Sequence, residues 1–240
     1  MTKPLALIFG GSRGIGAACV TTLHRDGYRV AFTYLTQPDL AKGMEIDREI
    51  KAYQTDIQNP SEVATFYAQA QKDFNEQPAL IIMNAGINLP YAPMGQYTHD
   101  SFKKIMGVNL FGAFNVLFEA ANHIKDGGSI IAITTSMVRH AVPGAAAYTA
   151  SKAAVEAIIR SMSKELAPRR VRVNAVAPGS IDTDLFHAGK TEEAKARSAA
   201  LSPFNRIGTC EEVAEVVSFV ASDKASWVHG QIIQPNGGMV

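Results

Sequence analysis

Leu5-Ala6-Leu7-Ile8-Phe9-Gly10-Gly11-Ser12-Arg13-Gly14-Ile15-Gly16 is the stretch that decides the fold. Its first five residues are apolar without alternation, which reads as a short strand buried on both faces. A glycine-rich turn follows and leads directly into an amphipathic helical pattern, Gly14–Asp26. Glycines let the backbone turn tightly and approach a pyrophosphate, and the helix N-terminus offers free N–H groups and a favourable dipole. The spacing is Gly-x-x-x-Gly-x-Gly. Alone, such a turn is an ordinary strand–helix connection; its place at the first βα junction gives it weight.

The same alternation continues outward to the far end of the chain. Strand patterns lie at about Leu5–Phe9, Arg29–Tyr34, Lys51–Gln54, Ala79–Met83, Ser129–Thr134, Arg172–Ala177 and Gln231–Gln234. Helical patterns lie near Gly14–Asp26, Ser61–Asn75, Thr98–Ile124, Ala147–Ala167 and Glu211–Ser222. Apolar strands separated by helices predict an α/β fold, a doubly wound seven-stranded parallel sheet in a single domain spanning residues 1–240. Thr36–Glu49 holds Pro38 and Gly43, so any helix there is short. The polar stretch at residues 184–203, with a helical pattern near Thr191–Leu201, follows a strand and reads as a substrate lid.

Composition narrows the function. Apolar residues are 47% of 240 and charged residues 19%, with a formal net charge of +1 and no long run of one sign. That argues against nucleic acid or an anionic membrane as the main partner. No stretch reads as a bilayer span or a secretory signal. Cys19 and Cys210 lie far apart and the six histidines are scattered, so no metal site is expected. A reducing, cytoplasmic setting is the simplest expectation.

The chemistry centres on Tyr148-Thr149-Ala150-Ser151-Lys152. Residues four apart on a helix are neighbours on one face, so the lysine ammonium can favour ionisation of the phenol, which otherwise titrates near ~10. The cofactor preference comes from the end of the second strand. A site selective for NAD carries an acid roughly 20 residues beyond the glycine turn, but Thr33-Tyr34-Leu35-Thr36 has none. Arg13 can instead offer its guanidinium to a 2′-phosphate. NADP(H) is therefore expected over NAD(H).

Taken together, the Gly10–Gly16 turn, Asp56, Asn84-Ala85-Gly86, Asn109, Tyr148-x-x-x-Lys152 and Pro178-Gly179 resemble the short-chain dehydrogenase/reductase family over the whole chain. Ser202-Pro203, Arg206-Ile207-Gly208, Gly237-Gly238 and Asp126-Gly127-Gly128-Ser129 are most similar to its polyhydroxynaphthalene-reductase-like and 3-oxoacyl-carrier-protein-reductase-like members. The resemblance implies a cofactor site of Gly10, Ser12, Arg13, Gly14, Ile15, Gly16, Tyr34, Asp56, Ile57, Asn84, Ala85 and Gly86. Pro178, Gly179, Ile181 and Thr183 would contact the nicotinamide, and Tyr148 and Lys152 would touch the cofactor as well as the substrate. Asn109 would anchor a water that links Lys152 to solvent.

Two departures stand out. Phe9 occupies the place of a usual threonine, removing a hydroxyl that helps fix the turn. The catalytic serine is ambiguous: gap-free spacing from Tyr148 falls on Thr135, and residue type favours Ser136.

The implied activity is NADPH-dependent reduction of a ketone or aldehyde, with Tyr148 giving the proton. An acyl thioester on a carrier protein, received by Arg169 and Arg170, is the alternative substrate. Oxidation of a secondary alcohol would share the site, and a non-catalytic NADP-binding regulator is the reading of a different class. Val138–Val142, Asn88–Met94 and Asp184–Pro203 would flank a mainly apolar pocket. The apolar helices Thr98–Ile124 and Ala147–Ala167, with Trp227–Val240, imply a homotetramer by the same resemblance.

Overall fold

Seven parallel strands form one sheet in the computed structural model, which describes residues 3–188 and 190–240. Position 189 of the expected lid lies outside the described residues. In chain order the strands are β1 (Leu5–Phe9), β2 (Arg29–Tyr34), β3 (Ile50–Gln54), β4 (Pro78–Met83), β5 (Ser129–Ile133), β6 (Arg172–Val176) and β7 (Ile232–Ile233). The helices are α1 (Gly14–Arg25), α2 (Pro38–Gly43), α3 (Pro60–Phe74), α4 (His99–Met106), α5 (Ala113–His123), α6 (Ala146–Leu166), α7 (Asp184–His187), α8 (Glu192–Ala200) and α9 (Cys210–Ala221). The sheet order is β3-β2-β1-β4-β5-β6-β7, so the winding reverses between β1 and β4. A crevice opens at the strand C-termini there, where this fold takes its ligands.

Strand pleating divides the core. Leu5, Leu7 and Phe9 face a layer made by Phe66 and Tyr67 of α3, Val116 and Leu117 of α5, and Val155 and Ile159 of α6. Ala6 and Ile8 face the opposite layer, built from Val20 and Leu23 of α1 with Val213, Val217 and Val220 of α9. Successive side chains of a strand point to opposite faces, so an unbroken apolar run is what a sheet covered on both sides requires. Among the described residues no helix is long and apolar enough to cross a membrane.

Two elements differ from the sequence reading. The helix expected over Thr98–Ile124 is interrupted at Gly107–Gly112 by a π-helical segment between α4 and α5. The cause is Asn109, which is fully buried. Its Oδ1 accepts from Ile87 N and its Nδ2 donates to Ile87 O, both at 2.8 Å, holding the β4 exit loop against the helix. The last strand keeps only Ile232 and Ile233 of Gln231–Gln234. Gln231 N donates to the Asn174 side chain instead, and Pro235 has no N–H to extend the ladder.

The glycine turn is held from outside. Gly10 lies in the left-handed region at φ +81, where glycine has no steric penalty. Its N–H donates to Thr33 Oγ1 at 3.0 Å, Gly11 N donates to Thr33 O at 2.9 Å, and Asn84 Nδ2 donates to Gly10 O at 2.7 Å. Thr33 of β2 thus supplies the hydroxyl that position 9 lacks. Phe9 turns into the core, edge-on to Phe66 at 5.0 Å. Thr33→Val leaves a donor in the turn unpaired, and urea titration is expected to show a loss of about 1–2 kcal/mol with an unchanged m-value.

Candidate active site

Tyr148 and Lys152 lie one turn apart near the start of α6 and face a cavity of about 210 Å³. Its walls include residues of the segments the sequence nominated, Asn88 and Tyr91 after β4, Val142 after β5, and Leu185, Phe186, Ser198 and Leu201 after β6, together with Met137, just before the nominated Val138–Val142. Met239 closes one side, a residue that sequence reasoning missed because a C-terminal tail shows no periodicity.

Lys152 is only 4% exposed, and its ammonium donates to Ile133 O at 2.9 Å. Burial lowers its pKa to about 8, because removing an ammonium from water disfavours the charged form. The phenol runs opposite to expectation. Burial raises Tyr148 above its ordinary value, the nearby Tyr91 adds to this, and a hydrogen bond from Thr135 opposes it. Lys152 is not among the causes, so the shift is set by desolvation and not by the attraction inferred from the spacing.

The ambiguous hydroxyl is resolved in position. Thr135 lines the cavity beside Tyr148, and its Oγ1 also accepts from Met137 N at 3.3 Å. Ser136 is fully buried and is not part of the cavity wall. Its Oγ donates to Ala177 O at 2.7 Å and accepts from Asn236 Nδ2 at 3.1 Å, tying the loop after β5 to β6 and the tail. The residue on the cavity wall is the one on which gap-free spacing from Tyr148 falls.

Behind these residues is a polar layer that only partly showed in the sequence. Asn109 Nδ2 also donates to Ser151 Oγ at 3.2 Å, and Ser151 Oγ donates to Tyr148 O at 2.7 Å. Asn109 lines neither cavity; its side chain is engaged by Ile87 and Ser151. Thr134 Oγ1 donates to Glu156 Oε1 at 3.1 Å, and Glu156 is 4% exposed. The sequence reading passed over Glu156, because a single Glu on a helix normally reads as a solvated charge; its place one turn beyond Lys152 is the one signal that could have found it.

The adjoining cleft, about 350 Å³, runs over the β1–β4 crevice. Gly10, Ser12, Arg13, Gly14, Ile15, Tyr34, Asp56, Ile57, Asn84, Ala85 and Gly86 all line it. Ile15, Asn84, Gly86 and Thr183 belong to both spaces, while Pro178, Gly179 and Ile181 line the Tyr148 side. Gly16 is the exception: it sits beneath the cleft, where a Cβ would fall 1.9 Å from Gly10 O. Asp56 Oδ1 accepts from Gln58 N at 2.9 Å, so one carboxylate oxygen closes a local turn. No side chain caps α1, leaving its first N–H groups without intrahelical partners. Exposed Arg13 shares the cleft with Tyr34, Leu35 and Thr36 at the end of β2, where no carboxylate stands. Those features fit a dinucleotide phosphate. Among the described residues no cluster of three metal-ligating side chains occurs. Arg169 is committed elsewhere, donating to Asp126 Oδ1, Ala121 O and Ile124 O.

Residues 10–240 match a family model described as enoyl-(acyl carrier protein) reductase. A short-chain dehydrogenase/reductase from Serratia marcescens superposes with a TM-score of 0.91 at 31% identity, covering 98% of this chain and 97% of that one. The chain belongs to the short-chain dehydrogenase/reductase family. An NADPH-dependent aldehyde reductase-like protein of Arabidopsis thaliana chloroplasts is 36% identical, over 98% of this chain and 94% of its own. Versicolorin reductase 1 of Aspergillus parasiticus is also 36% identical, over 98% and 95%. The family member described here is thus an oxidoreductase acting on C=O and CH–OH groups.

Lys152 carries a stability cost whose sign follows from its pKa. Between about pH 8 and 10.5 the unfolded chain binds the proton that the folded chain has released, so this group's contribution to stability rises with pH. At pH 7 the full penalty is present, roughly 3 kcal/mol, offset in part by the bond to Ile133 O. Lys152→Met is expected to be more stable than the parent by about 1–3 kcal/mol at pH 7. That difference should shrink as pH rises through 8 toward 10, as chemical denaturation at several pH values will show.

Proposed function

We propose that this protein reduces an aldehyde or ketone with NADPH, and that Tyr148 is the proton donor. The observation that carries the reading is the pairing of Tyr148 with Thr135 in a cavity that opens directly into the Arg13 cleft. NADPH, when bound, supplies the hydride that reaches the carbonyl carbon. Tyr148 gives its proton to the carbonyl oxygen, and solvent restores it. Thr135 donates a hydrogen bond to that oxygen, where negative charge develops during transfer. Lys152 holds a positive charge beside the phenol and favours the tyrosinate left after proton transfer. Ser136 keeps the Thr135 loop seated on β6.

Arg13 recognises the 2′-phosphate, and no carboxylate stands at the end of β2 to select a free 2′-hydroxyl instead. The name of the Arabidopsis relative supports the same cofactor preference. Free carbonyl compounds are favoured over carrier-bound thioesters, because Arg169 is occupied by its own fold.

Tyr148→Phe is expected to lower kcat by roughly two to four decades while NADPH binding persists. Thr135→Val should cost about two decades, and Ser136→Ala at least tenfold less than that. If the serine variant is the more damaged of the two, the hydroxyl assignment is wrong. Arg13→Ala should raise KM for NADPH about tenfold or more and leave KM for NADH nearly unchanged, because only the former carries the 2′-phosphate.

The exposed Phe111, Phe114 and Phe118 form an apolar face on the π segment and α5. We assign this face to contact between copies of the chain, with a homotetramer as the assembly. Light scattering on the parent and on Phe114→Glu, which should dissociate, tests the assignment.

A further inference from the structure

The cavity holding Tyr148 and Thr135 has a one-sided charge composition. Among the described residues no Asp or Glu lines it, whereas Lys152 and Lys190 both do. Lys152 is committed to Ile133 O and to the reacting end of the site. Lys190 is different. It follows α7, and its ammonium lies 3.7 Å from the ring centroid of Phe186, a residue of the same wall.

Of the nearby acids along the chain, Asp182 and Glu192 are engaged elsewhere, and neither Asp184 nor Glu193 pairs with Lys190 among the described residues. Asp182 pairs with His187 at 2.6 Å, and Glu192 pairs with Lys195 at 2.6 Å. Among the described residues no carboxylate forms an ion pair with Lys190. Desolvation lowers its pKa, and no acid counters this. A partly desolvated ammonium gains more from an incoming anion than a fully hydrated surface lysine does. The aromatic ring holds the ammonium in place without neutralising it.

We infer that Lys190 is an anion subsite of this cavity, and that the preferred carbonyl substrates carry a carboxylate at the end away from the reacting C=O. The inference rests on the carbonyl-reductase reading for the identity of the reacting group and extends it to substrate class. A cavity of about 210 Å³ is small beside those that hold drug-sized ligands. It suits a single ring or a short aliphatic chain with one terminal charge. The apolar walls of Met137, Val142, Leu185 and Leu201 take the body of such a molecule, and Lys190 takes its end.

The test compares kcat/KM with NADPH for 4-carboxybenzaldehyde against 4-methylbenzaldehyde, and for succinic semialdehyde against pentanal. The parent is expected to favour the carboxylated member of each pair at least tenfold. Lys190→Met should bring both ratios close to one, and Lys190→Arg should keep them. Calorimetric binding of 4-(hydroxymethyl)benzoate against benzyl alcohol gives a readout without turnover, and Lys190→Met should weaken only the acid, at least fivefold.

No preference in the parent overturns the inference, as does a preference that survives in Lys190→Met. Equal loss with charged and neutral aldehydes assigns Lys190 to bracing Phe186 and overturns it too. A matching loss of NADPH affinity assigns the lysine to the cofactor, with the same consequence. If the parent reduces none of the four aldehydes, the aldehyde arm of the carbonyl-reductase reading fails, and the calorimetric comparison alone decides the subsite.

Discussion

A buried ammonium is the constraint around which the rest of this site is arranged. Lys152 is 4% exposed and has one main-chain acceptor, Ile133 O, at the end of β5. An ammonium that loses its water is costly unless dipoles replace it, so its surroundings have little freedom. Glycine suits position 86: a Cβ would lie 3.3 Å from Lys152 Nζ and 3.2 Å from Asn109 Oδ1, so both would have to give by a few tenths of an ångström. Asn109 in turn holds Ile87 through both of its main-chain groups, which fixes the loop carrying Gly86. The π segment in the α4–α5 helix follows from that bond, since a regular helix would carry the same side chain past the loop. Extra-turn segments of this kind recur at functional sites for this reason.

The second constraint is the separation between Thr135 and Tyr148, which sit on different elements. Thr134, at the exit of β5, is bonded to Glu156 on α6. Ser136, on the other side of Thr135, is bonded to Ala177 just beyond β6 and to Asn236 in the tail. The hydroxyl that faces the cavity is therefore held between two buried anchors, one to the helix bearing Tyr148 and one to the neighbouring strand. Supporting contacts of this type set the precision of a polar site more than its cavity-facing residues do.

The sheet and the cleft were legible because their signals are local and repeated. Unbroken apolar runs such as Leu5–Phe9 admit little other than a strand covered on both faces, and the glycine turn marks the first junction by itself. What escaped depends on contacts distant in sequence. Thr98–Ile124 has a continuous helical pattern, and six residues of π-helix leave an apolar periodicity indistinguishable from it. The substitution at Phe9 suggested a weakened turn, since nothing local showed that the hydroxyl of Thr33, on another strand, would accept from Gly10 N. Thr135 and Ser136 could not be separated by sequence because a one-residue register in the loop before α6 exchanges them. The sign of the Tyr148 shift was also hidden. Spacing revealed the lysine one turn away, while burial, which sets the shift, is a property of the assembled cavity.

The charges of the two adjoining spaces serve different ends. In the cleft, the uncapped N-terminus of α1 and the Arg13 guanidinium make a region suited to phosphate, and Asp56 stands at its edge with one oxygen held in a turn. In the cavity, positive groups occur without any lining acid among the described residues. A positive field there favours an oxyanion and a tyrosinate alike, and both carry negative charge during carbonyl reduction. Desolvation opposes the same tyrosinate, which is why Tyr148 lies above its ordinary value in the chain alone. Burial of the phenol and the positive groups of the cavity thus act on Tyr148 in opposite directions.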